Sequence, residues 1–254
     1  MELQKETLSR RSLLMGAAAA GGACMITPGL VQAQAAGTAP ALAAGDVVLF
    51  QGDSITDAGR NKDAADANNP GALAGGYAMM IASRLLGVHA GLRLQCYNRG
   101  ISGNKVPDLD ARWQAETIAL KPRVLSILIG VNDMWHKLSG KYDGTVDQYE
   151  KGFAALLAKT VQAVPGVTLV ICEPFVLRCG AVNETWFPEF DQRREAAKRV
   201  AELAGAIWVP FQSMFDAAIT AETPPEYWAG DGVHPTMAGH ALMAKTWLDV
   251  TGLG

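Results

Sequence analysis

The sequence predicts an α/β protein, a three-layer α/β/α sandwich around a central, mainly parallel five-stranded sheet. Two observations carry this reading. Short β-type runs alternate with helical stretches from Asp46 to the end, with no Pro- or Ser-rich linker between them. The third run, Val124-Leu125-Ser126-Ile127-Leu128-Ile129, is apolar at nearly every position, as a strand covered on both faces must be.

The elements follow in order. Residues 47–50 open the sheet and run into Gln51-Gly52-Asp53-Ser54-Ile55-Thr56-Asp57. Residues 61–75, rich in Ala, Asn, Asp and Gly, read as a surface loop before a helix at 76–86. A second strand is expected at 92–97, a helix at 107–120, the third strand at 124–129 and a long helix at 146–164 that Pro165-Gly166 stops. Strands at 168–172 and 207–209 flank a helix at 187–204 stopped by Gly205, and a helix at 237–250 ends the chain. Strict alternation implies right-handed crossovers, and ligands of such sheets bind at the carboxyl ends of the strands.

Composition bounds the function. Hydrophobic residues make up 49% and charged residues 19%, with a formal charge of -3, so no basic surface is offered to nucleic acid. Residues 46–254 are expected to form one domain. Residues 1–35 read as an export signal: Arg10 and Arg11 precede an Ala/Gly-rich apolar core shorter than the roughly 20 residues that span a bilayer. The paired arginines resemble the twin-arginine type, which implies passage through that export machinery and a periplasmic or secreted protein. Cys24 lacks the bulky aliphatic three residues before it that a lipoprotein site expects, since Gly21 stands there. Of the remaining cysteines, Cys172 and Cys179 could pair after export, whereas Cys96 and Cys172 sit in apolar runs that suit buried thiols.

Four segments carry chemistry. Ser54 stands just past a strand's carboxyl end, where a following helix aims N–H groups at it, although Gly-Asp-Ser alone is also a common turn. In Asp231-Gly232-Val233-His234-Pro235 an acid and an imidazole lie three residues apart on a Gly- and Pro-shaped turn. A hydroxyl becomes a nucleophile when a base takes its proton, and the base needs a group that fixes its tautomer. His234 and Asp231 suit those roles, whereas His240 falls inside the last helix and His89 and His136 have no comparable acid beside them. Asn98-Arg99-Gly100-Ile101-Ser102-Gly103-Asn104 and Gly130-Val131-Asn132-Asp133 end the second and third strands and offer donors for an oxyanion. Each of these two segments alone reads equally as an ordinary Gly/Asn turn.

In order and spacing the four segments resemble the sequence blocks of the SGNH (GDSL-type) serine esterase superfamily, over about residues 47–248. The resemblance implies the flavodoxin-like fold of that superfamily. It implies Ser54 as nucleophile with Asp231 and His234 completing a triad, and Ser54, Gly103 and Asn132 as oxyanion-hole donors. The longer stretches 51–60, 98–104 and 127–135 are most similar to bacterial carbohydrate acetyl esterases that act on acetylated xylan or xylo-oligosaccharides. Trp135, Trp186 and Trp228 are candidate sugar-stacking aromatics, or packing residues.

The implied activity is removal of acetyl groups from carbohydrate esters through an acyl-enzyme. A short-chain or lipase-type acylhydrolase, an acyltransferase with a sugar acceptor and a non-catalytic carbohydrate-binding module remain as alternatives. No cofactor is expected: the sequence has no Cys-x-x-Cys, no His-Glu-x-x-His and no Gly-x-Gly-x-x-Gly after its first strand. The expected partner is an oligosaccharide or small-molecule ester, and the sequence leaves a homo-oligomer open.

Overall fold

The computed structural model describes residues 39–254. The expected export signal, with Arg10, Arg11 and Cys24, lies outside the described residues. In chain order the elements are β1 (Val47–Gly52), α1 (Ser54–Asp57), α2 (Pro70–Leu73), α3 (Tyr77–Val88), β2 (Gln95–Asn98), α4 (Val106–Glu116), β3 (Val124–Leu128), α5 (Val131–Leu138) and α6 (Val146–Ala163). They continue with β4 (Thr168–Cys172), α7 (Glu189–Leu203), β5 (Ile207–Val209), α8 (Phe211–Ala218), α9 (Pro225–Trp228) and α10 (Met237–Thr251).

The five strands form one sheet in the order β2-β1-β3-β4-β5, and every pairing is parallel. Strand side chains alternate between two apolar layers, as a period of two requires. Val48, Phe50, Val124, Leu128, Val170 and Cys172 face the layer of α3, α8 and α10, where they meet Tyr77, Ile81, Phe211 and Trp247. Leu49, Leu125, Ile127, Leu169 and Ile171 face α4, α6 and α7, and pack on Leu109, Trp113, Phe153 and Val200. This is the three-layer α/β/α sandwich, with both sheet faces covered. Ser126, the polar residue of the apolar third strand, accepts a hydrogen bond from Trp247 Nε1 at 3.0 Å. Its burial is thereby satisfied by the last helix.

The structure differs from the sequence expectation in several details: the second strand, expected at 92–97, is Gln95–Asn98, preceded by a 3₁₀ turn at Ala90–Leu92. The 61–75 segment is not purely loop: Asn69 caps α2 by accepting from Gly71 N at 2.9 Å and Ala72 N at 3.2 Å, and Ala72 and Leu73 are buried. Within it Asn68 Oδ1 accepts from Cys96 N at 2.8 Å and Asn68 Nδ2 donates to Leu94 O at 2.8 Å, so a side chain covers the outer edge of β2. Helices α5 and α8 are short, and the polar start of α5 at Asn132-Asp133 reads as a turn in sequence. The expected helix at 107–120 ends at Glu116 and gives way to a 3₁₀ turn, Ile118–Leu120.

Cys96, Cys172 and Cys179 are all free and buried, so the Cys172–Cys179 pairing does not form in this structure. Burial pushes the Cys96 and Cys172 thiols up to about 12, which leaves them packing residues and not nucleophiles.

Candidate active site

The carboxyl ends of β1, β2 and β3 converge at one edge of the sheet, and the last turn of the chain before α10 closes over them. At the end of β1, Asp53 caps α1: its Oδ1 accepts from Ile55 N at 3.0 Å, and Ser54 becomes the first helical residue. This short turn presents the Ser54 hydroxyl at the strand terminus. Asp53 itself is buried, and desolvation pushes its carboxyl up to about 7.

The turn 231–235 supplies the partners. Asp231 Oδ1 accepts from His234 N at 2.7 Å and Val233 N at 2.9 Å, while Asp231 Oδ2 lies 2.7 Å from His234 Nδ1. Gly232 has φ +83, and a Cβ there would collide with the carbonyl oxygens of Leu177 and Cys179. A side chain is excluded both by the backbone conformation and by the space. The segment after β4 therefore holds the turn: Leu177 N donates to Gly232 O at 2.7 Å and Ala181 N to Asp231 O at 2.9 Å.

Across 180 residues of sequence, Ser54 Oγ and His234 Nε2 meet at 2.9 Å. An ionised carboxylate only accepts, so Asp231 fixes the Nδ1–H tautomer and leaves the Nε2 lone pair facing the Ser54 hydroxyl. Burial would raise the Asp231 carboxyl, but hydrogen bonds from the His234 side chain and backbone and from Val233 outweigh it and hold the group below the ordinary range. Deprotonation of a serine by an oriented imidazole is what this line of three groups can do.

Gly103 lies in the stretch between β2 and α4 at φ +83, and its N–H takes no partner among the described residues. Asn132, in the first turn of α5, is 6% exposed. Its Nδ2 donates to Asn104 O at 3.2 Å, which uses one of the amide's two hydrogens and orients the other. Asp133, beside it, is fully buried, and desolvation lifts its carboxyl to about 6.

The structure sorts the other sequence candidates. His240 accepts from Tyr77 N at 3.2 Å through Nδ1 and stacks on the Tyr77 ring, and burial together with His234 pushes it down to about 4. It is a neutral packing group. Trp186 is 1% exposed, with Nε1 donating to Ala181 O, so it cannot stack on a sugar. Trp135 leans on Trp186 with ring centres 5.7 Å apart and stands 5.9 Å from the His234 ring. It is an aromatic wall beside the imidazole. Trp228 is half-buried and donates through Nε1 to Ala218 O at 3.2 Å. Sequence reasoning missed Asn104 as the carbonyl that aims Asn132, because the signal is backbone and carries no side-chain signature.

A family model, the GDSL-like lipase/acylhydrolase family, matches residues 50–242, a span that contains every group just described. The chain belongs to this family. It is a carboxylic ester hydrolase of the GDSL type. It is 34% identical over 215 residues to an acetylxylan esterase of Geobacillus stearothermophilus, covering 83% of this chain and 96% of that protein. The crystal structure of Axe2, an acetylxylan esterase from Geobacillus stearothermophilus, superposes with a TM-score of 0.73 at 33% identity, covering 83% of this chain and 96% of its own. A protein of Parabacteroides merdae described as a GDSL-like lipase gives a TM-score of 0.83 at 46% identity, covering 85% of this chain and 100% of its own. An α/β hydrolase enzyme from the Lake Arreo metagenome gives 0.74 at 32% identity, covering 84% of this chain and 97% of its own. The GDSL stretch of this chain is the Gly52-Asp53-Ser54 turn at the end of β1.

Proposed function

We propose that the protein removes acetyl groups from carbohydrate esters, such as acetylated xylo-oligosaccharides, through an acyl-enzyme formed on Ser54. The observation that carries this is the Ser54, His234 and Asp231 line, with contacts of 2.9 and 2.7 Å at the strand ends. His234 Nε2 takes the Ser54 proton as Oγ attacks the ester carbonyl. The tetrahedral oxyanion is met by the N–H groups of Ser54 and Gly103 and by the free hydrogen of the Asn132 amide. The imidazolium, balanced by Asp231, then protonates the departing sugar oxygen, and the same imidazole activates the water that releases acetate. The similarity to an acetylxylan esterase supports the acetyl and xylan parts of this reading.

A small acyl group is the reading that the similarity to an acetylxylan esterase supports, and Trp135, packed on the buried Trp186, walls the site beside His234. Specificity constants for aryl esters are expected to fall from acetate to butyrate to octanoate, by roughly tenfold or more overall. Acetate release from acetylated xylo-oligosaccharides, measured with and without a sugar acceptor, tests the substrate directly. Preference for octanoate with no release from acetylated sugars rejects it, and acetyl appearing on the acceptor instead of in water identifies a transferase.

Asn132→Ala is expected to lower kcat by roughly 10²–10³ with KM little changed, because the donor strengthens as the oxyanion develops. Loss of affinity at unchanged kcat would place Asn132 in substrate binding.

Residues 1–35 are proposed as a twin-arginine export signal that delivers the folded enzyme to the periplasm or medium. Changing Arg10 and Arg11 together to Lys is expected to leave active precursor in the cytoplasm, read by fractionation. Normal export of that variant rejects the route.

A further inference from the structure

Gly103 can serve an oxyanion only if its stretch of chain is held in register with Ser54, and the two come from different strands. Several contacts tie the chain after β2 to the turn after β1. Asn98 Nδ2 donates to Thr56 O at 2.6 Å, Arg60 Nε to Gly100 O at 2.7 Å and Ile101 N to Gly52 O at 3.1 Å. At Gly100 the backbones approach so closely that a Cβ would run into Asp57 N and Thr56 C.

One side chain reaches beyond these contacts to the residue next to Gly103. Asp57 is the last residue of α1, three after Ser54, and is 1% exposed. Its Oδ2 accepts from Ser102 N at 3.0 Å and from Ser102 Oγ at 2.9 Å, with Lys62 Nζ at 2.8 Å on the same oxygen. Its Oδ1 accepts from Arg60 N at 3.1 Å. Burial would raise this carboxyl, but the Lys62 and Ser102 hydrogen bonds hold it below the ordinary range, so it stays an acceptor-only carboxylate.

We propose that Asp57 is a positioning residue for ester hydrolysis, which acts through Ser102 to aim the Gly103 N–H at the oxyanion. The Gly103 N–H lies in the planar peptide unit that begins at Ser102 Cα. Two bonds from Ser102 to one oxygen hold its N–H and its χ1, and therefore fix in place the Cα from which that plane starts. The oxygen belongs to the same four-residue helix as the nucleophile, so donor and nucleophile move as one body. Charge-assisted bonds suit this task because they are shorter and stronger than neutral ones. A misplacement of about 1 Å at a reacting centre costs about 10²-fold, which sets the scale of what such a clamp protects. This inference rests on the reading of Ser54 and Gly103 given above.

The test measures kcat, KM and melting temperature on an aryl acetate for Asp57→Ala, Asp57→Asn and Ser102→Ala, with Ser54→Ala alongside. Asp57→Ala is expected to lower kcat about 10²-fold while KM stays within about threefold. Asp57→Asn keeps the shape, but its NH₂ must face either the Ser102 donors or the Arg60 N–H, so kcat is expected to fall about tenfold or more. Ser102→Ala removes one bond of the pair and is expected to cost about two- to tenfold. The acid limb of kcat/KM against pH is expected to stay in place in all three, since the base is untouched. If Asp57→Ala fails to fold, the other two variants carry the test. Wild-type kcat in Asp57→Asn and Ser102→Ala, a loss confined to KM, or a displaced acid limb overturns the proposal. Activity surviving in Ser54→Ala would instead overturn the nucleophile assignment, so the two failures are told apart.

Discussion

Ser54→Ala and His234→Ala are each expected to lower kcat by about six orders of magnitude while leaving the fold intact. The size follows from the way the groups work as a unit. In the proposed mechanism no acyl-enzyme forms without the hydroxyl, and without the imidazole the hydroxyl keeps its proton at neutral pH. Either loss leaves only what the oxyanion donors and substrate binding provide to direct attack by water, and for the same reason the double variant is expected to be hardly worse than either single one. Stability should change little. Ser54 is half-buried at the tip of α1, where Asp53 and not Ser54 provides the cap, and the His234 side chain is partly exposed. Steady-state kinetics on an aryl acetate, with thermal melting as the control, checks this. A Ser54→Ala variant within about a hundredfold of wild type, at unchanged melting temperature, would end the serine mechanism.

Asp231→Asn is expected to cost about 10⁴ in kcat, the second largest effect, by forcing the wrong tautomer. Oδ1 accepts from the backbone N–H groups of Val233 and His234, and asparagine can keep that oxygen in place. Its NH₂ then faces His234 Nδ1, which must become an acceptor. The ring proton moves to Nε2 and points at Ser54 Oγ, where a lone pair is needed. The imidazolium formed during attack also loses its counter-charge. Because Asp231 is held below the ordinary carboxylate range, it stays ionised throughout the neutral region. Crystallography of the variant should show the turn unchanged while kinetics shows the loss. A variant within about tenfold of wild type would mean that the carboxylate neither orients nor balances the base.

The catalytic candidates were legible because four segments, each an ordinary turn by itself, stand together in an order and spacing that their chemistry constrains. Asp231 and His234 sit three apart on one turn, and both their contact and the backbone bonds that shape it are local. The five strands were legible for the same kind of reason: 168–172 and 207–209 are short, β-branched and apolar runs bounded by turn residues. Less was legible where neighbours decide. The stretch 61–75 looks like a polar loop, yet Asn68 completes the edge of β2 and Asn69 starts a helix, uses of an amide that composition does not reveal. Trp186 has the composition of a sugar platform and the burial of a core residue, because the segment after β4 folds it under Trp135.

The resemblance to the SGNH superfamily singled out Gly103 and Asn132 among the Gly/Asn turns, while the sequence by itself determined the class of fold, the strand ends at which chemistry gathers and Ser54, Asp231 and His234 as candidates. Each of these is written in short-range pattern, as the period of side chains along a strand or the spacing of groups on a turn. Only the tertiary structure decided that Ser54 meets His234, that Trp135 and not Trp186 stands beside the imidazole, and that Asp57 reaches Ser102. Those contacts join residues that are remote or unremarkable in the chain. They are fixed by the parallel order of the sheet, which brings the β1, β2 and β3 ends side by side, and by close packing of the loops above them.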